Sequence, residues 1–356
     1  KALTNKNIVK YIKSLGGGFD AVSINEVKLA LELGYSPNDI IYTPNCVNFD
    51  EVEEGIKLGI HVNIDNLPFL ERLGKKYGSE QPVCVRINPH ISAGGNKNIQ
   101  VGHVGSKFGI SILQFDELLE IVKKYKINVN GLHVHTGSDI LDVDVFLRGA
   151  GIIFERAVHF SGLEFLDFGS GFKVGYYKDA PVTDIQELGE RMSSAFKEFC
   201  ADYGKKLEIW FEPGKFLVSD CGTLLTEVNL IKPAPACTFI GINTGFNHLI
   251  RPMMYDAHHE IVNTSNPGGK IKVYDIVGNI CETDTFATDR KIEETKEGDI
   301  IAFKNAGAYG FEMSSNFNSR LKPAEVLVIN GKAKLIRRRQ VYQDLLRDQI
   351  DISIES

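Results

Sequence analysis

Leu207-Glu-Ile-Trp-Phe-Glu-Pro-Gly-Lys215 is the last of a series of apolar runs that each end in polar residues or glycine. Two earlier members are Gly131-Leu-His-Val-His-Thr-Gly-Ser138 and Leu163-Glu-Phe-Leu-Asp-Phe-Gly-Ser-Gly171. The segments between the runs carry apolar residues at helical spacing, as between Asp184 and Tyr203. Alternation of strand and helix predicts a parallel sheet with helical crossovers.

The first part of the chain contains seven such repeats. The predicted strands cover residues 19–23, 40–43, 61–64, 83–87, 129–135, 163–168 and 207–211. Seven is one fewer than the eight strands of a closed α/β barrel. A strand immediately before Lys1 would complete the barrel, so we expect the natural protein to extend upstream of this residue.

Active sites of such barrels lie at the carboxyl ends of the strands. We therefore expect several polar residues and glycines at predicted strand ends to share one pocket mouth. They are Lys1, Asp20, Arg86, His135, Gly171 and Glu212. The polar loop at 92–106 is also a functional candidate, because long loops on compact scaffolds often carry function.

A second domain is indicated by a change of pattern after Pro235. Short β-rich runs replace the helical ones, at 238–242, 270–277, 298–303, 324–329 and 332–336. Turn sequences such as Asn330-Gly331 separate them. We predict a barrel over 1–235 and a mainly antiparallel β domain over 236–356, with a closing helix at 337–348.

Composition excludes several classes of protein. A net charge of −6 argues against a nucleic-acid binder, which would be basic. No apolar run approaches the roughly 20 residues of a membrane span. The six cysteines are scattered without a CxxC pair. This favours reduced thiols and a cytoplasmic protein over a disulfide framework or a zinc site.

Single residues in these motifs have both functional and structural interpretations. Gly169-Ser-Gly171 fits a phosphate cradle, but tight turns also use glycine. Glu212 ends a buried strand and needs a cationic partner, which could be structural. Arg251 could clamp a substrate carboxylate or form an ordinary ion pair. Cys281 could donate a proton or be an inert thiol.

The histidines do not predict a metal site. His133 and His135, like the adjacent pair His258 and His259, lack the carboxylate spacing of common metal sites. Adjacent residues on a strand also point to opposite faces. A metal-dependent barrel hydrolase is therefore disfavoured.

Together the motifs resemble the alanine-racemase-type pyridoxal phosphate decarboxylases, over nearly the whole chain and in the same order. The matching segments are Lys1-Ala2, Asp20-Ala-Val-Ser23, Lys107-Phe-Gly109, His133-Val-His-Thr-Gly-Ser138, Glu212-Pro-Gly214, Gly245-Phe-Asn247, Arg251-Pro-Met-Met-Tyr255, Cys281-Glu282 and Ala306-Gly-Ala-Tyr-Gly310. The resemblance implies a pyridoxal 5′-phosphate enzyme that converts meso-2,6-diaminopimelate to L-lysine and CO₂.

The resemblance also implies residue roles at the cofactor. Lys1 would attach the cofactor covalently, His135 would stack on its ring, and Glu212 would pair with the ring nitrogen. The other cofactor-binding residues would be Asp20, Arg86, Ser138, Gly169, Ser170, Gly171, Gly214, Lys215 and Tyr309. Lys215 stands where the family usually has arginine, so the two-pronged hydrogen bonding of arginine is lost there.

Further roles implied by the resemblance concern substrate and assembly. Cys281 would protonate the substrate carbon, and with His135 and Lys1 it completes the catalytic set. The substrate-binding residues would be Lys215, Arg251, Tyr255, Glu282 and Tyr309. Cys281 and Glu282 would reach the pocket of a partner subunit, so a homodimer with shared sites is expected.

Two other functions remain open. A decarboxylase of the same fold could act on ornithine, arginine or carboxynorspermidine. Cys281-Glu282 speaks against it, because the resemblance places Asp after the cysteine in such enzymes. A non-catalytic pyridoxal phosphate carrier is a different class of protein. A carrier would need neither the second domain nor the proton donor Cys281.

Overall fold

The computed structural model describes residues 1–91 and 102–352, which form two compact units. The first unit contains Lys1, Ile8–Gly175 and Asp179–Leu217. The second contains Ala2–Asn7, Tyr176–Lys178 and the chain from Val218 onward. Residues 92–101 of the predicted functional loop lie outside the described residues.

The chain up to Val218 alternates strands and helices. The strands are β1 (Phe19–Ala21), β2 (Ile40–Tyr42), β3 (His61–Ile64), β4 (Val83–Asn88), β5 (Ile110–Ser111), β6 (Val129–Val134), β7 (Phe165–Asp167) and β8 (Glu208–Trp210). The helices are α1 (Lys6–Ser14), α2 (Ile24–Glu32), α3 (Phe49–Lys57), α4 (Leu67–Tyr77), α5 (Phe115–Tyr125), α6 (Val143–Ala157), α7 (Ile185–Tyr203) and α8 (Gly214–Val218).

All strand pairs in this sheet are parallel, in the order β1-β2-β3-β4-β6-β7-β8, with β5 added to β4. The seven predicted strands are confirmed, and β5 is an additional short one. This ordered series of parallel strands with helical crossovers confirms the predicted barrel architecture. Within the described ranges, no ladder joins β8 to β1.

Local chemistry explains where the helices begin. The side chains of Asn66 and Asp184 accept hydrogen bonds from backbone N–H groups three residues later, at 2.9 Å in both cases. Each thereby satisfies one of the donors left free at a helix start. Gly204 ends α7 in the left-handed conformation, which glycine adopts without steric cost.

The centre of the sheet is fully buried. Every residue of β4 and β6 is buried, which is typical of parallel strands covered on both faces. The rings of Phe165 and Trp210 stack with centroids 3.9 Å apart. Gly131 in β6 makes room for this pair, because a Cβ there would lie 2.3 Å from the Phe165 ring.

The second unit is built on antiparallel pairing. Its strands are β9 (Leu224–Pro233), β10 (Thr238–Ile242), β11 (Ile261–Asn263), β12 (Ile271–Val277), β13 (Thr285–Glu293), β14 (Ile300–Phe303), β15 (Glu325–Ile329) and β16 (Lys332–Arg337). Short helices α9 (Arg251–Tyr255) and α10 (Tyr342–Leu346) accompany them. One sheet has the order β11-β14-β9-β10-β12-β13, and β15 pairs with β16. Among the described strands of this second unit, only the β10–β12 pair is parallel, so the unit is mainly antiparallel as predicted.

The structure divides the chain earlier than the change of sequence pattern suggested. β9 pairs antiparallel with β10 and β14, so it belongs to the second unit. The boundary therefore falls after Leu217 and not at 235. The closing helix is also shorter than predicted, because β16 extends to Arg337.

The apolar core of the second unit lies between its strands. Ile240, Ile276 and Phe303 are fully buried within one cluster. Burying each such side chain contributes roughly 1.5–3 kcal/mol. Among the helices described, none is both long and apolar enough to cross a membrane.

Candidate active site

The carboxyl ends of the parallel strands bring several ionisable groups together in the first unit. Asp20 lies in β1, Arg86 in β4 and His133 in β6, while Glu212 follows the end of β8. His135 comes directly after β6. The charges of Arg86 and Glu212 both act on His135, so the structure brings these three side chains near one another.

Glu212 is held beside His133. The His133 Nε2 atom lies 3.3 Å from both Glu212 carboxylate oxygens, and it makes a hydrogen bond with Oε2. His133 is 1% exposed and the Glu212 side chain is 13% exposed. The Glu212 backbone N–H donates to the carbonyl oxygen of Gly169 at 2.7 Å, which fixes the chain after β8 to the chain after β7.

The pKa values of three buried carboxyl groups are shifted in different directions. Burial pushes the pKa of Glu212 upward, but the hydrogen bond from His133 and the positive charge of Arg86 hold it below its ordinary value. Burial and the negative charge of Glu212 raise the pKa of Asp20 to about 8. Burial and Glu212 also raise the pKa of the Asp167 carboxyl. Glu212 is therefore the most acidic of these three carboxyl groups.

The buried histidines are neutral. Burial, followed by the charge of Arg86, lowers the pKa of His135 to about 3. Burial also lowers the pKa of His133. Arg86 is 7% exposed and lies 4.9 Å above the ring of Phe108. Its guanidinium supplies a fixed positive charge opposite Glu212, as a buried carboxylate requires.

Lys1 lies near the end of β1. Its backbone nitrogen is 2.5 Å from Glu26 Oε1, and the other oxygen of Glu26 accepts the Val22 N–H at 2.8 Å. The Lys1 ammonium is close enough to Asp20 to oppose the rise of its pKa. It also acts on His135. Lys1 is thus near Asp20 and His135.

The glycine loop after β7 packs tightly on the end of β6. The Ser170 N–H donates to His135 Nδ1 at 3.3 Å. Gly169 has φ +57°, and a Cβ there would lie 2.7 Å from His135 Nδ1. Gly171 has φ +111°, and a Cβ there would lie 2.2 Å from the carbonyl oxygen of Gly137. Only glycine fits both positions.

Replacing Gly169 by alanine should destabilise the protein by about 1–2 kcal/mol or more, because an L-residue is strained at this φ and its Cβ overlaps His135. Urea unfolding measures the change. Gly189→Ala is a matched control in α7, since a Cβ there meets nothing within 4 Å. The control should stabilise by roughly 0.5–1 kcal/mol. Equal stability of the two variants would contradict the steric argument.

Lys215 joins the loop after β6. Its Nζ donates to Ser138 Oγ at 2.7 Å and to Asp139 Oδ1 at 2.5 Å. The predicted residues Ser138 and Lys215 are therefore in contact, and Gly214 begins α8 beside them. Asp139 was not predicted. It gives the lysine an anionic partner in the loop that carries Ser138.

Arg251, a predicted substrate residue, is buried in the second unit and held by neighbours there. Burial lowers the pKa of His259 to about 4, so this histidine is neutral. Its Nδ1–H donates to the carbonyl oxygen of Lys304 at 2.8 Å, which leaves Nε2 to accept from Arg251 Nη1 at 3.1 Å. The guanidinium also lies 4.8 Å above the ring of Tyr176. These contacts fix the orientation of the guanidinium.

Cys281 lies on an exposed turn of the second unit. Its Sγ accepts a hydrogen bond from Asn318 Nδ2 at 3.0 Å. The buried carboxylate of Asp284 anchors the turn, since it accepts the Ile280 N–H at 3.1 Å and a second N–H from the loop at Phe246 at 2.7 Å. The thiol is thus accessible on a well-anchored turn.

The remaining predicted residues also lie in the second unit. Glu282 is exposed, and Tyr255 and Tyr309 are half-buried. Tyr309 has φ +57°, and its N–H donates to the carbonyl oxygen of Ala2 at 2.9 Å. This hydrogen bond lies within the second unit, which contains both Ala2 and Tyr309.

Sequence reasoning missed the cluster of His133, Asp167 and Glu212. Their potential ligand atoms lie within 4.8 Å of one another, a spacing that a metal ion could use. No metal site was expected because the histidines lack the carboxylate spacing of common metal sites in the sequence. The carboxylates of the cluster come instead from β7 and from the end of β8. Two features of the sequence point to this cluster. His133 and His135 are two residues apart, so they lie on the same face of a strand, and a charged residue stands inside the apolar run of β7.

Comparisons with known proteins show the family of this chain. Residues 1–219 match the family model described as pyridoxal-dependent decarboxylase, pyridoxal binding domain. The diaminopimelate decarboxylase of Methanothermobacter thermautotrophicus is 37% identical over 357 residues, which cover 98% of this chain and 83% of that protein. The Aquifex aeolicus enzyme of the same name is 33% identical, over 99% of this chain and 85% of that protein.

Solved structures give the same result. Diaminopimelate decarboxylase from Helicobacter pylori, complexed with L-lysine, superposes with a TM-score of 0.88 at 30% identity and covers 97% of this chain and 87% of that one. An arginine decarboxylase from a Chlorella virus reaches a TM-score of 0.76 at 18% identity, over 89% of this chain and 85% of that one, which shows the shared fold alone. On the family match and the full-length relatives, the chain belongs to the pyridoxal-dependent decarboxylases.

Proposed function

We propose that this protein decarboxylates meso-2,6-diaminopimelate to L-lysine and CO₂, the closing step of lysine synthesis, with pyridoxal 5′-phosphate as cofactor. The observation that carries the proposal is the match over nearly the whole chain to enzymes named for this substrate, at up to 37% identity. The L-lysine in a related solved structure is consistent with lysine as the product.

The first unit fits the cofactor. Glu212 Oε1 and Asp20 Oδ1 are sealed from solvent and have no hydrogen-bond partner among the described residues. An ionised, buried carboxylate such as Glu212 suits a protonated ring nitrogen. The loop of Gly169 and Gly171 offers backbone N–H groups without side chains, as a phosphate cradle requires. Ser138, Ser170, Lys215 and Tyr309 are the further phosphate-binding candidates.

The chain's own residues have distinct tasks in the proposed reaction. When bound, the cofactor supplies an electron sink for the bond that breaks as CO₂ leaves. Lys1 would attach the cofactor through its side-chain amine. Glu212 would hold the proton on the ring nitrogen, and His135 would pack on the ring. Cys281 delivers the proton that replaces the lost carboxylate on the same carbon.

Substrate recognition is assigned to residues of the second unit. Arg251 is proposed to bind the distal carboxylate, because a fixed guanidinium matches a carboxylate with two parallel hydrogen bonds. Glu282 is proposed to bind the distal amine, with Tyr255 and Tyr309 beside them. A substrate that ends in both a carboxylate and an amine needs both charges, whereas one that ends in an amine alone does not.

The assembly is proposed to be a homodimer in the cytoplasm. Support for the dimer comes from the resemblance, in which Cys281 and Glu282 serve the pocket of the partner subunit. The exposure of both residues on one anchored turn is compatible with that role. The six free thiols favour a reducing compartment.

A substrate panel tests the function. Released CO₂ is measured with meso-diaminopimelate, ornithine, arginine and carboxynorspermidine, and only the first should turn over efficiently. Efficient turnover of one of the others would overturn the substrate assignment. Stoichiometric cofactor binding without any turnover would instead indicate a carrier.

Arg251→Gln should raise the KM for diaminopimelate by about 10- to 100-fold, because a charge-assisted hydrogen bond to the distal carboxylate is lost. Its kcat should change less than its KM, since the contact lies away from the reacting carbon. Arg338→Gln is the matched control, because Arg338 is exposed and pairs with Asp344. An unchanged KM for Arg251→Gln would remove Arg251 from the substrate site.

A further inference from the structure

His133 has an arrangement that core packing alone does not explain. It is 1% exposed, and its Nε2 makes a hydrogen bond of 3.3 Å with Glu212 Oε2. Its Nδ1 is sealed from solvent and has no hydrogen-bond partner among the described residues. Leaving a buried ring nitrogen unpaired is costly, and a carbon ring of similar size would avoid the cost. The Nε2 contact is the feature that requires an imidazole.

The direction of the hydrogen bond follows from the two groups. An ionised carboxylate only accepts hydrogen bonds, so Nε2 must carry the proton. The neutral ring then has its lone pair on Nδ1, which agrees with the lack of an acceptor near that atom. His133 therefore presents one fixed donor to Glu212 and adds no charge.

Backbone hydrogen bonds fix the main chain at Glu212. The Glu212 N–H is bonded to Gly169, and the Gly169 N–H donates to Asp167 Oδ1 at 2.8 Å. The main chain of Glu212 is thus fixed, while its side chain still has rotatable bonds. The hydrogen bond from His133 limits the rotation of the Glu212 carboxylate, and Asp167 also interacts with that carboxylate.

We infer that His133 is a positioning residue, whose Nε2–H orients the Glu212 carboxylate toward the ring nitrogen of the bound cofactor. The inference rests on the family's cofactor occupying the first unit, and it adds a role for a side chain that does not itself contact the cofactor. Because Glu212 then meets the ring in one orientation, the proton on the ring nitrogen is held in place during turnover.

Two amide variants test the inference. Glutamine can place its Nε2–H near the position of the histidine Nε2, whereas asparagine places its amide near Nδ1 and is too short to reach Glu212. Both side chains are neutral and polar, so burying either of them has a similar effect on stability. Relative to wild type, His133→Asn should weaken cofactor binding and lower kcat about tenfold or more, with KM changed less. His133→Gln should restore most of both losses.

Cofactor affinity is measured by titrating the cofactor-free protein with pyridoxal 5′-phosphate and following its absorbance, without substrate. Cofactor affinity can be measured whichever substrate the enzyme uses, so the two proposals are separately testable. Circular dichroism and the melting temperature of the cofactor-free variants establish that both are folded. If only one variant folds, that variant is compared with wild type. The inference is overturned if His133→Asn binds the cofactor as tightly as wild type does, or if His133→Gln loses cofactor affinity.

Two further outcomes would overturn it. Equal cofactor affinity and kcat in both variants would make His133 a structural residue only. Stoichiometric metal in the purified protein, lost in both variants and removed by chelator together with activity, would make the cluster with Asp167 a metal site.

Discussion

Replacing Lys1 by alanine should lower kcat by on the order of 10⁴-fold, because the amine that binds the cofactor is removed and no free amine matches its effective concentration. Borohydride reduction of the wild-type protein should fix the cofactor to the peptide that contains Lys1, as seen by mass spectrometry. The alanine variant should show no such adduct and should lose the absorbance of covalently bound cofactor. An adduct on another lysine would refute the assignment.

Lys1→Arg separates chemistry from charge. Arginine keeps a cation near Asp20 and His135 but is not a nucleophile at neutral pH. It should therefore be as inactive as the alanine variant while preserving the electrostatics of the pocket. Lys6→Ala, which changes another lysine close by in sequence, should keep full activity. Activity of Lys1→Arg near wild type would mean that only the charge matters.

Mixing experiments extend this result to the assembly. If Lys1 and Cys281 serve one site from different subunits, mixing the inactive Lys1→Ala and Cys281→Ala proteins should restore activity. Random pairing into dimers yields about a quarter of the wild-type activity, because half of the dimers then contain one intact site. No restored activity, with exchange of subunits demonstrated, would contradict shared sites.

The fold was largely predictable because its signals are local. The alternation of short apolar runs with helical spacing placed all seven main strands, and the helical spacing noted between Asp184 and Tyr203 corresponds to α7. The boundary between the units was harder to predict from the sequence. β9 has exposed apolar residues such as Leu225 and Leu230, so its membership depends on pairing with strands distant in sequence.

The sequence indicates candidate site residues, but it does not indicate how their side chains interact. Glu212 and His135 stand at strand ends, which the sequence shows directly. The partner of Glu212 is His133, from a strand almost eighty residues earlier in the chain. Likewise, nothing near Arg251 in sequence indicates that a neutral His259 and the ring of Tyr176 orient its guanidinium. Such tertiary contacts depend on the register of separate elements.

Glu212→Gln should lower kcat by about 10²–10⁴-fold, a typical range for losing a positioned acid–base group, because a neutral amide cannot stabilise a proton on the ring nitrogen. Glu212→Asp keeps the charge on a shorter side chain and should lose less. Steady-state kinetics with diaminopimelate gives kcat, and cofactor titration shows whether binding persists. A glutamine variant as active as wild type would mean that the ring nitrogen needs no anionic partner.

The same substitution should change how stability depends on pH. The pKa of Asp20 is about 8 in the folded protein against an ordinary 3.8, so the folded state binds a proton that the unfolded state lacks between these values. Stability therefore falls as pH rises through this window. Burial is the first cause of the raised pKa and the charge of Glu212 is the second, so Glu212→Gln should lower the folded pKa. Urea unfolding of the cofactor-free variant should then show a smaller loss of stability between pH 6 and 8 than wild type does, and an equal or larger loss would show that the two carboxyl groups do not interact.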